Sequence, residues 1–389
     1  MYFDFTDEQK SFQKKVCDFL DKEVTSGVID ESESGLGFGT ESWNLMRKLG
    51  ERKWLAVSFP RDYGGLGLSR VHSFIVRDEL DYRDALVVVK GVGLIGVDMA
   101  GPVIMKHGSK ELKENFLPRI AAGEIEFALG YTEPDAGSDL SRIEMWAVED
   151  GDDFVVTGQK LFNTCCHFAQ YHWLAVKTER DRSAQKGLSL MIVDLRSPGI
   201  TISPMWEMSD TRTNVVFYDS VRVPKRFLVG EVNRGWDYMV SALNFERMFV
   251  TGGLRRVLED LIAYVKSKKS ADSSDKDLSI RHELAEMEAE ISIAHSFAVR
   301  VACLQDKGVA PSYESAALKL FVSELYQRIA NLGLEILKPY GCLRRDSKYA
   351  VLNGRMERLY RSSFLLTIGA GTSEIMRNTI ATKGLRLPR

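Results

Sequence analysis

The spacing of apolar residues along this chain changes character twice. In TDEQKSFQKKVCDFL, Phe12, Val16, Phe19 and Leu20 fall on one helical face, and Thr6 with Gln9 forms a capping-box start. Helical spacing of this kind runs to about residue 123. Between residues 124 and 235 the texture becomes that of strands. Short runs rich in β-branched and aromatic residues (FVVTGQKLF, HWLAVKTE, LSLMIVDL, GITISPMW, NVVFYDSVRVP) are separated by the turn-rich EDGDD, ERDRSAQKG and RSPG. After Trp236 the three-and-four spacing returns, as in Leu318, Val322, Leu325, Ile329 and Leu332. The pattern predicts a mainly α chain with a central β domain: helical over 1–123, β over 124–235 and a helical bundle over 236–389. The polar KSKKSADSSDKD, residues 266–277, reads as a solvated loop or arm.

A chain of 389 residues exceeds what one core organises, which agrees with several domains. With 52 basic and 54 acidic residues the formal charge is -2, so no broad field for nucleic acid or an anionic membrane is present. The expected partners are small molecules or proteins. Five cysteines without CxxC spacing and six histidines without H-E-x-x-H spacing predict neither a disulfide framework nor a metal site. The acidic opening MYFDFTDEQK and the lack of a long apolar run predict a cytoplasmic protein.

Four stretches carry candidate chemistry. KGVGLIG holds Gly91, Gly93 and Gly96 in a G-x-G-x-x-G spacing, but a helical pattern follows where a dinucleotide site needs a strand ending in an acid, so close helix packing is the expected role. YTEPDAGSDL, residues 131–140, offers backbone and hydroxyl donors from Thr132, Gly137 and Ser138, or it is an ordinary domain-junction turn. In LNFERMFVTGG, residues 243–253, Glu246 sits on an otherwise apolar helical segment. It is either a desolvated base or the partner of a neighbouring arginine. TIGAGTSEIMRN, residues 367–378, brackets Ala370 with two glycines, a backbone able to approach a ligand closely around an inert side chain.

Six segments in register resemble the acyl-CoA dehydrogenase family over nearly the whole chain: FPRDYGGLGLS, HGSKELKENFLP, YTEPDAGSDL, VVTGQKLFNT, YDSVRVPKRFLVGEVNRGW and IGAGTSEIMRN. The resemblance implies a middle β-barrel or sandwich, a C-terminal four-helix bundle, and FAD held between the two. It also implies oxidation of an acyl-CoA thioester to the 2,3-enoyl-CoA. A base takes the α proton while the β hydrogen leaves as hydride to flavin N5. The same site run in reverse would be an enoyl-CoA reductase. Where many members carry a catalytic Glu, this chain has Ala370, whose backbone N–H would serve the thioester oxygen. Leu243, Asn244, Phe245, Glu246 and Arg247 resemble the Leu-x-x-Glu-Arg context that supplies the base in isovaleryl-CoA dehydrogenase.

Carried over residue by residue, Leu129, Tyr131, Thr132, Gly137, Ser138, Phe162, Asn163 and Thr164 would face the flavin ring, and Thr372, Ser373 and Glu374 the rest of FAD. Ser138, Asn244, Phe245, Arg247 and Gly371 would face the acyl-CoA. The small Ala370 suggests room for a branched or cyclic acyl group. Electron-transfer flavoprotein is the implied redox partner and a homotetramer the implied assembly. Two departures open an alternative. KSKKSADSSDKD stands near where the family has Arg-x-x-Phe-Gly, and Lys338-Pro339 stands where it has Gly-Gly. Both are features expected of a heterotetramer with a sister subunit, in which this chain could even be flavin-poor.

Overall fold

Helix formation begins where the capping box stands. Thr6 N donates to Gln9 Oε1 at 3.0 Å and Gln9 N to Thr6 Oγ1 at 3.2 Å, and the helix that follows, α1 (Asp7–Glu23), buries Val16, Phe19 and Leu20. The computed structural model describes residues 4–85, 95–179, 184–246, 249–268 and 275–388, the side chains of 184–185, 244–246 and 275–277 excepted. The remaining elements in chain order begin with α2 (Ser26–Glu33), α3 (Thr40–Glu51), α4 (Arg70–Tyr82), α5 (Gly101–His107) and α6 (Lys110–Ala121). Next come β1 (Phe127–Gly130), β2 (Trp146–Asp150), β3 (Asp153–Lys160), β4 (Tyr171–Lys177), α7 (Ala184–Gly187), β5 (Leu188–Asp194), β6 (Ile200–Trp206), β7 (Arg212–Pro224) and β8 (Leu228–Val229). The chain continues with α8 (Gly235–Glu246), α9 (Gly252–Ser267), α10 (Asp275–Asp306), α11 (Ser312–Leu337), α12 (Arg355–Leu366) and α13 (Ser373–Thr379). This is the mainly α chain with a central sheet that the apolar spacing predicts. Residues 269–274 of the polar 266–277 stretch fall outside the described residues.

Two compact units are present, one of Val24–Ser73 with Leu86–Glu246 and one of Met1–Glu23, Phe74–Ala85 and Arg247–Arg389. In the first, the described strands make one eight-stranded sheet in the order β6-β7-β3-β2-β4-β5-β8, with β1 alongside β4. The β1–β4 ladder is parallel and the β4–β5, β3–β7 and β6–β7 ladders are antiparallel, so the sheet is mixed. Side chains alternate across it. Trp173, Ala175, Leu190 and Ile192 join Val103, Ile104, Leu112, Phe116, Leu117 and Ile120 of α5 and α6 in one core, to which α8 adds Tyr238, Met239 and Ala242. Their neighbours Leu174, Val176, Met191 and Val193 join Phe154, Val156, Val216, Val221 and Val223 in a second. Coverage of both faces is why β4 and β5 read as continuous apolar runs rather than alternating ones.

The second unit is helical. α11 buries Leu318, Val322, Leu325, Ile329 and Leu332, the stripe expected from the spacing, and α9 adds Leu254, Val257, Leu258 and Leu261. α4 closes on the start of α9 so tightly that a Cβ at Gly252 would lie 2.0 Å from the Asp78 carbonyl oxygen. Only glycine fits there.

Candidate functional site

Two of the sequence-predicted segments meet in the sheet unit. β1 and its continuation deliver Leu129, Tyr131 and Thr132, while β3 ends at Lys160 and runs into Phe162, Asn163 and Thr164. Leu161 N donates to Thr132 O at 2.9 Å, so the two segments run side by side. Below them Lys160 is fully buried, and its Nζ donates to Glu133 Oε1 at 2.7 Å and to Tyr131 O at 3.1 Å. Glu133 also accepts from Glu144 N at 2.7 Å and Met145 N at 3.0 Å, and it exchanges backbone hydrogen bonds with Ala136 at 3.0 and 3.2 Å.

The outward side of these segments is built differently. Gly137 and Ser138 are exposed and Thr132 half-buried. Phe162 is 56% exposed and adopts φ 54°, a left-handed backbone that is costly for an aromatic residue and that clusters at ligand sites. Asn163 is buried. Its N–H donates to Asn214 O at 2.9 Å and its carbonyl accepts from Asn214 Nδ2 at 2.8 Å, yet its side-chain Oδ1 has no partner. Thr164 and Thr213 share a hydroxyl contact of 3.2 Å. An outward aromatic ring, outward hydroxyls and an orphaned buried acceptor in adjoining segments suit a flat polar ring such as a flavin.

Burial sets the electrostatics beneath. It pushes the Lys160 ammonium down to about 8 against the opposing pull of Glu133, and with Lys160 nearby it pushes His172 down to about 3. His172 is thus neutral near pH 7, with Nδ1 2.7 Å from the Tyr218 hydroxyl. The buried thiols of Cys165 and Cys166 are both pushed up by desolvation, which makes them inert. Glu126 is raised to about 7 by burial, and its Oε1 accepts from Gly96 N at 2.7 Å and Phe127 N at 2.8 Å. Gly96, the last glycine of KGVGLIG, opens a buried π-helical turn, Gly96–Ala100, in the core beside Phe127, while Gly91 and Gly93 lie outside the described residues.

In the helical unit, Ala370 with φ 54° and Gly371 with φ 98° give two consecutive left-handed residues between α12 and α13. Lys319, fully buried on α11, donates from Nζ to Gly371 O at 2.6 Å. Gln327 Nε2 donates to Thr367 Oγ1 at 3.1 Å and Ser373 N to Thr367 O at 3.0 Å. Thr372 caps α13 by accepting from Ile375 N at 3.2 Å. The exposed Glu374 carboxyl is held below its ordinary range by its own backbone N–H and the Thr372 hydroxyl. Ser373 Oγ is buried without a partner.

The stretch LNFERMFVTGG is not one continuous helical segment. α8 ends at Glu246, and α9 starts afresh at Gly252 because two acids of α4 take its first amides. Thr251 N donates to Asp78 Oδ1 at 2.8 Å and Gly253 N to Asp81 Oδ2 at 2.6 Å. The side chains of Asn244, Phe245 and Glu246, and Arg247 as a whole, lie outside the described residues. Sequence reasoning passed over Lys160, Glu133, Lys319, Asp78 and Asp81. Lys160 shares strand parity with the buried Phe154 and Val156, and Lys319 stands three and seven positions before the buried Val322 and Tyr326, so periodicity held a signal for both lysines.

The acyl-CoA dehydrogenase N-terminal, middle and C-terminal domain families match residues 6–124, 128–221 and 233–385. Acyl-CoA dehydrogenase FadE26 of Mycobacterium tuberculosis (strain ATCC 25618 / H37Rv) is 33% identical, covering 100% of this chain and 99% of that protein. Among solved structures, the ChsE4-ChsE5 complex from Mycobacterium tuberculosis superposes with a TM-score of 0.90 at 32% identity, over 100% of both chains. The Tcur3481-Tcur3483 steroid ACAD gives 0.91 at 29% identity, again over 100% of both. The chain belongs to the acyl-CoA dehydrogenase family, whose members are FAD-dependent oxidoreductases. Among the described residues no helix is long and apolar enough to cross a membrane.

Proposed function

We propose that this chain oxidises an acyl-CoA thioester to its 2,3-enoyl-CoA with Glu246 as the base that takes the α proton. The observation that carries this is Ala370. It stands where many members have the acid, in a left-handed turn fixed by Lys319 through Gly371 O and by the Thr372 cap, and it offers the reaction only its backbone. The acid must then come from elsewhere, and Glu246 is the residue in the matching Leu-x-x-Glu-Arg context. The Ala370 N–H donates to the thioester oxygen and acidifies the α proton, as fixed donors do for a developing oxyanion. Ser138, Asn244, Phe245, Arg247 and Gly371 contact the acyl-CoA.

Leu129, Tyr131, Thr132, Gly137, Ser138, Phe162, Asn163 and Thr164 hold the flavin ring, and Thr372, Ser373 and Glu374 the remainder of FAD. Bound FAD supplies the two-electron acceptor for the β hydrogen. The domains divide at 123 and 235, the protein is cytoplasmic, and electron-transfer flavoprotein reoxidises it. A bulky ring-bearing acyl group fits the small Ala370 and is favoured by the steroid-related structural neighbour. The assembly is a heterotetramer with a sister subunit, supported by one neighbour named as a ChsE4-ChsE5 complex, by a second whose name pairs two components, and by the missing Arg-x-x-Phe-Gly.

Glu246→Gln tests the base. Turnover should fall by about 10²–10⁴ with FAD retained, the span a positioned general base contributes. Unchanged turnover would reject the assignment. One flavin per chain in a protein that assembles alone would reject the sister subunit in favour of a homotetramer.

A further inference from the structure

Lys160 lies under both flavin-facing segments and touches neither solvent nor, being fully buried, any ligand. Its Nζ reaches Tyr131 O and Glu133 Oε1 in one segment, and its own backbone leads through Leu161 and Phe162 into the other. Glu133 extends the junction to a third stretch by accepting from Glu144 N and Met145 N. We infer that Lys160, through its buried pair with Glu133, is a positioning residue that sets the separation of segments 129–138 and 162–164 before the flavin arrives. The inference rests on the flavin reading given above.

Three observations favour positioning over bulk stability. Desolvating two ions is rarely repaid by their attraction, and an apolar pair of similar volume commonly stabilises as well or better, so a sealed Lys–Glu pair is weak as a simple staple. The pair is placed where three chain stretches converge, at the start of a segment with strained residues. Phe162 at φ 54° and Cys165 at φ 75° persist only where their surroundings over-determine them. The donors that would face the ring, Thr132 and Ser138, belong to a turn whose carbonyls and amides are already engaged inward at Tyr131, Thr132, Glu133 and Ala136.

The test compares Lys160→Met, Glu133→Gln and the double variant with the wild type, each purified in the assembly the wild type forms. Each single change strands one buried charge and should lower the melting temperature. The double change removes both charges, keeps an acceptor for Glu144 N and Met145 N, and should recover much of that loss. Its FAD Kd should still rise at least tenfold. The ratio of its affinities for oxidised and reduced flavin should change about tenfold, equivalent to about 30 mV for a two-electron couple. A folded double variant with wild-type Kd and potential overturns the proposal, since a purely structural pair would leave both unmoved. Hydrogen exchange on the wild-type apoprotein gives a check that needs no variant. Protection of the Leu161, Glu144 and Met145 amides before FAD is added supports the inference, and protection only after FAD overturns it. A wild-type assembly that binds no FAD overturns the flavin reading and this inference with it, whereas a flavin-binding wild type with an unaltered double variant overturns the positioning role alone.

Discussion

Each compact unit buries a lysine completely, and the two end on different partners. In the sheet unit Lys160 meets the carboxylate of Glu133 and forms a neutral pair sealed from water, with side-chain exposures of 0% and 8%. In the helical unit Lys319 donates to the carbonyl oxygen of Gly371. Both ammonium groups hold a stretch with left-handed residues, Phe162 in one unit and Ala370 and Gly371 in the other. The difference is in the partner: a buried carboxylate in the sheet unit, and in the helical one a half-buried backbone carbonyl with the exposed Glu374 carboxylate in electrostatic reach. Losing the lysine beside the β segments therefore strands a buried charge.

The largest expected effect follows from that contrast. Lys160→Met should cost roughly 3–5 kcal/mol, the usual penalty for an abandoned buried charge, read as a shift in denaturant midpoint. A cost no greater than that of Lys319→Met would break the comparison. Glu126 sharpens it next, as a second buried carboxyl of the sheet unit without a lysine. Its folded value of about 7 lies above the ordinary 4.5, so its stabilisation is complete below pH 4.5 and is lost as pH rises through 7, on the order of 3 kcal/mol. His172 acts oppositely. Its folded value of about 3 lies below 6.5, so it destabilises as pH falls from 6.5 toward 3. Glu126→Gln keeps the acceptor for Gly96 N and Phe127 N, and melting from pH 4 to 8 should then show only the acid-side loss.

Lys319→Met is expected to cost about 1–3 kcal/mol through loss of its bond to the half-buried Gly371 carbonyl. If Lys319 serves the Ala370 turn, kcat should fall about tenfold while FAD Kd stays unchanged, a smaller loss than deleting an oxyanion donor outright. Loss of FAD with kcat intact would reverse the division of labour between the two lysines. The smallest effect belongs to Thr372→Ala, which removes the α13 cap and should lower stability by about 1 kcal/mol in thermal melts.

The local geometry of the candidate segments was legible in part because it depends on backbone chemistry. Gly369, Gly371 and the hydroxyls of Thr372 and Ser373 announce a tight turn opening a helix, and Thr372 caps α13. The Pro and Gly of YTEPDAGSDL announce the turn that carries Thr132 and Ser138. The break between α8 and α9 was not legible, since apolar spacing runs through LNFERMFV while the acids that start α9, Asp78 and Asp81, lie 173 and 172 residues away. Nor does periodicity show that the compact units are discontinuous in sequence, with α1 and the end of α4 grouped with residues 247–389.

What the sequence alone determined is the succession of helical, strand and helical stretches, the buried stripe of α11 and membership of a flavoenzyme family, because each is written in spacing or in contiguous motifs. Which charges go inside was decided by the tertiary structure. Strand parity and helix phase place Lys160 and Lys319 on inward faces, but an inward lysine is tolerable only if an acceptor awaits it, and those acceptors come from 27 and 52 residues away. Backbone geometry repeats locally, whereas the neutralisation of a buried charge depends on which distant segment the fold brings alongside.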